Sequence, residues 1–162
     1  MVDSISSSYF QQRRPERLVY FAGNADLAAT VAKRYRENAA ALETLLAESS
    51  DPAIALRRYP ETFRWALENE NRMCLSGFMA AEYDDLPEAV KKEIQIFADV
   101  NVAWLSKVLS AAKVVGPKRS EPRARAIFAA VGGAQLMARS RSDIALYDAL
   151  INSYRVAGLL PA

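Results

Sequence analysis

The sequence predicts an all-α protein, a bundle of about six helices. Apolar residues recur at three- and four-residue intervals along most of the chain, which is the period of an amphipathic helix, and no segment alternates as a half-buried strand does. The 162 residues are 51% apolar and 25% charged, as in an ordinary globular domain with a sizeable core.

The first predicted helix begins after Gly23, with Asn24 as its cap, and ends before Ser49. Its charged residues lie on the opposite side from its apolar ones, so the helix presents one face to a core. The apolar face comprises Leu27, Val31, Tyr35, Leu42 and Leu46.

The second helix is predicted to start at Asp51 and Pro52, because aspartate caps a helix and proline suits its first turn. Pro60 predicts a kink or a break near Tyr59, since proline lacks the amide donor and clashes with the preceding turn. The apolar residues of this segment are Ile54, Leu56, Tyr59, Phe63 and Leu67.

The polar residues 68–71 link this segment to a short apolar helix, expected from about Arg72 to Tyr83. A long helix then runs from Pro87 to about Ala112. One polar residue interrupts its apolar stripe, and a buried amide there would need hydrogen-bond partners. The stripe is Val90, Ile94, Phe97, Asn101, Trp104, Val108 and Ala112.

Residues 116–119 form the clearest predicted loop, since glycine and proline stand side by side. The next helix is predicted to start with Ser120 as its cap and to reach about Ser140. The last helix begins near 142–143 and fades at Gly158, which completes six helices.

The composition excludes several classes of protein. The chain has no histidine and one cysteine, Cys74, so it lacks the residues for Ser-His-Asp catalysis, for a histidine-ligated metal and for an internal disulfide. No glycine-rich nucleotide motif occurs, and we expect no cofactor and no enzymatic activity. Cys74 could be a redox sensor, but its apolar neighbours favour an ordinary buried thiol.

Four stretches of the sequence resemble the regulatory domain of TetR-family transcriptional regulators. Residues 21–37, FAGNADLAATVAKRYRE, resemble the junction between the DNA-binding head and the connecting helix. Residues 72–83, RMCLSGFMAAEY, resemble the short central helix, and residues 86–105 the long helix after it. Residues 126–139, AIFAAVGGAQLMAR, resemble the penultimate helix, which pairs subunits in that family.

The resemblance fails at the head. Only twenty residues precede Phe21, too few for a three-helix head, and no glycine before Gly23 can form the tight turn of a helix-turn-helix. We therefore expect residues 1–22 to be a remnant or degenerate head, and residues 23–162 to form a ligand-binding and dimerisation domain. No DNA-contact residue is assigned.

Small residues dominate the penultimate helix and predict close approach to another helix. Gly132 and Gly133 each disfavour a helix by about 1 kcal/mol relative to alanine, so some packing should compensate. The resemblance implies a symmetric dimer through the last two helices, although the same residues could pack inside one subunit. The predicted interface is Ile127, Ala130, Val131, Gly133, Ala134, Met137, Ala138, Leu146 and Leu150.

Aromatic and thioether side chains, Trp65 among them, concentrate in the middle helices. They could form an ordinary core, but the resemblance implies a ligand cavity between these helices, and such cavities are mostly apolar with a few polar groups. Asn101 could bond a nearby backbone carbonyl or orient a ligand. The predicted ligand residues are Phe63, Leu67, Phe78, Met79, Glu82, Tyr83, Phe97, Asn101 and Trp104.

The single cysteine fits a reducing cytoplasm, and the resemblance implies a homodimeric transcriptional regulator, a repressor, whose body binds a small effector. We expect a largely apolar effector because no arginine or lysine lies on the inner stripes. Operator DNA is an expected partner only with a complete head, and a membrane is not. The alternative is a stand-alone ligand-binding or heterodimerising protein that has lost DNA binding.

Overall fold

The computed structural model describes residues 24–80 and 83–161. Across those residues the secondary structure is entirely helical, which confirms the predicted all-α class. The break at Pro60 raises the count from the predicted six to seven α-helices. They are α1 (Asn24–Glu48), α2 (Pro52–Arg58), α3 (Glu61–Glu68), α4 (Leu75–Ala80), α5 (Glu88–Ala111), α6 (Pro117–Arg141) and α7 (Ile144–Val156), with a 3-10 turn at Tyr83–Asp85 before α5.

Helices α1 and α5 lie side by side and run in the same direction. The Asn101 amide donates to Asn38 Oδ1 over 3.2 Å, and Lys107 Nζ lies 3.1 Å from Glu43 Oε2. The sequence separations of these two pairs are 63 and 64 residues. A nearly constant separation along both helices is what parallel alignment requires.

The predicted break near Tyr59 separates α2 from α3. Asp51 caps α2, its carboxylate accepting from the Ala53 amide over 2.8 Å. Pro60 begins the next turn, and its carbonyl oxygen accepts from the Tyr147 hydroxyl over 2.7 Å. The backbone at the break is therefore tied to α7 rather than left unpaired.

Helix α4 is shorter than predicted because the residues before it are bonded elsewhere. The Arg72 amide donates to the Ala66 carbonyl over 2.9 Å. The Cys74 amide donates to Gln135 Oε1 over 3.0 Å, while Gln135 Nε2 donates to the Phe63 carbonyl over 2.8 Å. The fully buried Gln135 amide of α6 thus fixes both α3 and the link that follows it.

The predicted start of α6 was wrong by one turn. The helix begins at Pro117, after Gly116, because proline has a suitable φ for the first helical position. Ser120 lies inside the helix instead of capping it. Its hydroxyl donates to the Pro117 carbonyl over 2.8 Å and accepts from Ser106 Oγ of α5 over 2.9 Å.

The apolar core consists of two clusters. The N-terminal cluster joins the first half of α1 to α4, the 3-10 turn and the first half of α5; the main cluster joins the rest of the bundle. Phe128 of α6 packs against both. The N-terminal cluster is Leu27, Val31, Tyr35, Met79, Leu86, Val90, Ile94 and Phe97. The main cluster includes Leu42, Tyr59, Phe63, Leu67, Trp104, Leu105, Val108, Ile127, Val131 and Ile151.

Two isoleucines of α5 provide a matched test of this core. Ile94 is 7% exposed in the N-terminal cluster, whereas Ile96 is 39% exposed. We expect Ile94→Ala to lower the free energy of unfolding by about 2–5 kcal/mol and Ile96→Ala by under about 1 kcal/mol. Urea unfolding of both variants measures the difference; equal losses would contradict the assignment of faces.

Candidate functional site

The Asn101 side chain is fully buried and fully bonded between three helices. Its Nδ2 group donates to Asn38 Oδ1 of α1 over 3.2 Å and to the Phe97 carbonyl over 2.9 Å. Its Oδ1 atom accepts from the Tyr59 hydroxyl, at the end of α2, over 3.0 Å. Both amide hydrogens are used within the protein, so of the two predicted roles the bond to a nearby backbone carbonyl is confirmed.

Six aromatic rings form a continuous series through the bundle, on both sides of this amide. Each ring lies within the usual range of aromatic pair distances from the next. The centroid distances are 4.5 Å for Tyr35–Phe97, 6.2 Å for Phe97–Phe128, 6.3 Å for Phe128–Phe63, 5.6 Å for Phe63–Tyr59 and 5.7 Å for Tyr59–Trp104.

Trp104 carries a buried hydrogen-bond donor that is not satisfied. The residue is 4% exposed, and its indole Nε1 has no hydrogen-bond partner among the described residues. An unpaired buried donor costs about 1–3 kcal/mol, so an acceptor placed beside it would recover stability.

The structure places the predicted ligand residues in both clusters. Phe63, Leu67 and Trp104 lie in the main cluster, Met79 and Phe97 in the N-terminal cluster, with Asn101 bonded between them. All six are buried by the packing of this chain alone. They are near one another, and their role in binding stays a prediction.

The remaining three ligand residues are placed less fully. Glu82 lies outside the described residues, as does the Phe78 side chain. Tyr83 is half-buried against the N-terminal cluster, its hydroxyl accepting from Gln95 Nε2 over 2.7 Å and its ring 5.3 Å from Lys91 Nζ. Its hydroxyl therefore bonds a side chain exposed at the surface.

Sequence reasoning misplaced one aromatic residue and missed three members of the site. Trp65 is 64% exposed, because it lies on the side of α3 opposite the buried Phe63. Asn38, Tyr59 and Phe128 were not assigned to the ligand region. Phe128 carried one usable signal, since it is the one aromatic residue of α6.

Four residues of the predicted dimer interface must be removed from it. Their side chains are fully buried in the main cluster, packed against the same subunit, and so offer no surface to a second copy. They are Ile127, Val131, Ala134 and Ala138. The rest stay predicted interface residues, exposed or half-buried: Ala130, Gly133, Met137, Leu146 and Leu150.

The two α6 glycines are not explained by packing within the subunit. A Cβ atom added at Gly132 or at Gly133 would meet no described atom within 4 Å. Gly133 is exposed and Gly132 half-buried. Nearby, Leu136 and Met137 are 54% and 45% exposed, an unusual density of apolar surface on one helix.

An open groove of about 600 Å³ lies between the end of α6 and the link after α3. Arg139 donates to the Asn71 carbonyl over 2.7 Å, and Asn71 Nδ2 donates back to the Arg139 carbonyl over 3.1 Å. None of the predicted ligand residues lines it, so it is separate from their site. The lining residues are Glu70, Asn71, Arg72, Leu136, Arg139 and Ser140.

The described ranges 24–80 and 83–161 contain neither a candidate metal site nor a candidate membrane-spanning helix. No group of three or more Cys, Asp or Glu side chains there could hold a metal ion. No helix in those ranges is long and apolar enough to cross a membrane.

Comparison with known proteins identifies the fold. No family model matches the chain, and neither does any curated protein. Two solved structures do match. A TetR transcriptional regulator from Legionella pneumophila aligns with a TM-score of 0.76 and 21% identity, over 93% of this chain and 82% of that chain. A TetR-family regulator from Agrobacterium tumefaciens aligns with a TM-score of 0.72 and 26% identity, over 93% and 85%.

The chain has the fold of TetR-family regulators. The resemblance first drawn from four short stretches is therefore confirmed at the level of the fold, and with it the predicted TetR-like helical bundle. Both similar structures are transcriptional regulators rather than enzymes.

Two buried tyrosines near the α2–α3 break, Tyr59 and Tyr147, make the fold less stable at alkaline pH. Burial raises the pKa of Tyr59 well above its ordinary value of 10. Burial, followed by the nearby Asp148 carboxylate, raises the pKa of Tyr147 likewise. Both phenols stay neutral in the folded chain at pH values where they ionise in the unfolded chain, so folding loses stability above that ordinary value.

We expect the free energy of unfolding to fall above about pH 10, by up to about 1.4 kcal/mol per pH unit for each phenol. Tyr147→Phe removes one of the two groups and should make this slope shallower, besides lowering stability at neutral pH through the lost bond to Pro60. Denaturant unfolding between pH 8 and about pH 11 measures both slopes. An unchanged slope in the variant would contradict this assignment.

Proposed function

We propose that this chain is the effector-binding and dimerisation body of a TetR-like transcriptional regulator. The proposal is carried by one observation, the match to two such regulators over 93% of the chain. Effector binding to the body would favour one of two conformations, change the spacing of two DNA-binding heads and so release the operator. The protein acts in the cytoplasm as a repressor and needs a complete head to bind operator DNA.

The dimer face is formed by the outward sides of α6 and α7. Residues 126–138 of α6 contain no charged side chain, and on α7 the one charged residue between Ile144 and Tyr154 is Asp148. Asp148 is already paired with Arg64 Nε over 2.8 Å. An uncharged face of small and apolar residues suits the core of a two-fold interface.

The unexplained glycine Gly133 supports the same face. Each mid-helix glycine is less favourable than alanine by about 0.8–1.0 kcal/mol, and no contact within the subunit compensates. Gly133 is exposed beside Ala130 and Met137. There, the close approach of a second copy of α6 compensates for the low helix propensity of glycine.

The effector site lies where the two apolar clusters meet. Phe128 packs against both clusters, and its ring neighbours are Phe63 on one side and Phe97 on the other. An effector that separates these rings also displaces Tyr59, which neighbours Phe63 and stacks on Trp104. It then reaches the unpaired indole donor of Trp104.

The chemistry of the seam selects a small, largely apolar effector with a hydrogen-bond acceptor. The buried polar residues of the described chain are neutral, namely Asn101, Ser120 and Gln135. A multiply charged ligand would lose its hydration without gaining an opposite charge. One acceptor atom is matched by the free indole donor.

Dimerisation is tested by two glycine variants that differ by one position. Gly133→Ala adds a Cβ at the proposed contact and should weaken dimerisation at least tenfold, about 1.4 kcal/mol. Gly132→Ala lies off that face; it should raise the melting temperature through better helix propensity and leave the dimer intact. Sedimentation equilibrium measures both constants, and identical values for the two variants would contradict the proposed face.

Effector chemistry is tested with two probes of one shape, cyclohexyl methyl ketone and isopropenylcyclohexane, which differ by an oxygen in place of a methylene. In a Trp65→Phe background, Trp104 is the remaining tryptophan and reports binding by fluorescence. We expect the ketone to bind about fivefold more tightly, as one net hydrogen bond allows. In the Trp104→Phe variant, whose binding is measured by calorimetry, we expect the ketone and the alkene to bind with equal affinity.

Equal affinities on the Trp65→Phe protein, or no binding of either probe, would contradict an effector site at Trp104. A preference for the ketone that persists in Trp104→Phe would also contradict it, because a group other than the indole would then donate to the ketone oxygen.

A further inference from the structure

The parallel pair α1 and α5 has a polar interruption at one level. On α1, Asn38 lies between the apolar residues Tyr35 and Leu42; on α5, Asn101 lies between Phe97 and Trp104. The two asparagines are bonded to each other over 3.2 Å, at the level where the N-terminal cluster gives way to the main cluster.

Apolar packing alone would define the axial position of α1 poorly. The inward residues of its first half, Leu27, Val31 and Tyr35, are spaced by one turn. A slide of α1 by one turn, about 5.4 Å, would again place apolar side chains against apolar side chains. It would also bring Tyr35 or Leu42 opposite Asn101.

The polar pair distinguishes these registers. With Tyr35 or Leu42 opposite it, Asn101 would lose the acceptor for one of its amide hydrogens in a fully buried position. Buried amides without partners are strongly disfavoured, and a single buried asparagine is known to fix the register of paired helices. The position of Asn101 is also tied to the end of α2, because its Oδ1 atom accepts from the Tyr59 hydroxyl.

We propose that the Asn38–Asn101 hydrogen bond is a register lock that holds α1 in one axial position against α5. The lock is continuous with the dimer helix, because Tyr59 adjoins Pro60, whose carbonyl accepts from the Tyr147 hydroxyl of α7. An effector whose binding separates Asn101 from Asn38 releases α1 to slide. That last step rests on the proposed function; the lock does not.

The test compares two changes on the full chain, in a Cys74→Ser background. Two exposed residues, Thr30 and Ala111, are replaced by cysteine (Thr30→Cys and Ala111→Cys) and spin-labelled. In the present register the two positions are separated along the helix axes by about 27 Å. Mixing with excess unlabelled chain removes distances between subunits, and pulsed electron resonance gives the distribution. A slide of one turn changes this separation by about 5 Å.

The variant Asn38→Leu/Asn101→Leu makes the interface apolar, and Leu42→Ala is its control. We expect the double variant to show a broadened or second distance and a lower melting temperature, because Asn101→Leu also leaves the buried Tyr59 hydroxyl without its acceptor. Leu42→Ala, which leaves the polar pair intact, should lower the melting temperature by roughly 5–15 °C and keep a single distance.

A single unshifted distance in the double variant would overturn the register lock. Should that protein fail to fold, Asn38→Leu alone decides, because Asn38 is half-buried and Asn101 then keeps its bonds to Tyr59 and Phe97. Here too a broadened or second distance supports the lock, and a single unshifted one overturns it. Neither readout needs an effector or DNA, so this result is independent of the proposed function.

Discussion

The buried amide of Asn101 is the constraint on which the rest of the bundle depends. It is fully buried, so each of its polar atoms must find a partner inside the protein. Those partners lie on α1 and at the end of α2, 63 and 42 residues away from Asn101 in the sequence. These bonds join three helices at one point, and the two apolar clusters meet at that level. Apolar contacts, being non-directional, would supply the stability without this precision.

A second buried amide organises the other side of the molecule. Gln135 of α6 bonds the Phe63 carbonyl and the Cys74 amide, so it holds the non-helical link after α3 against the bundle. Each amide lies in a continuous helix but bonds a place where another helix is interrupted. Asn101 bonds Tyr59 at the α2–α3 break, and Gln135 bonds the link before α4. In each place backbone or hydroxyl groups would otherwise be buried without partners. The divided core that results leaves Phe128 as the shared neighbour of both clusters, and this seam is where the proposed effector site lies.

The sequence was sufficient for the elements and insufficient for the contacts. The α5 stripe from Val90 to Val108 was predicted correctly because three- and four-residue spacing directly encodes a buried face. The burial of Asn101 followed from its place on that stripe, but its partner Asn38 lies 63 residues away, which no local pattern reveals. On α6 both faces are small or apolar, so periodicity could not separate the buried Ile127 and Val131 from the exposed Met137. Trp65 was misassigned for a related reason, since residue type was weighed above its position on the helix.

We propose that this TetR-like body works as a symmetric pair, joined through α6 and α7. Sedimentation velocity of the wild-type chain over a range of micromolar concentrations tests it most directly. The account predicts one species with the mass of two chains, dissociating only on dilution. A single species with the mass of one chain at every concentration would contradict it, because the exposed Gly133 and Met137 of α6 would then have no partner to cover them.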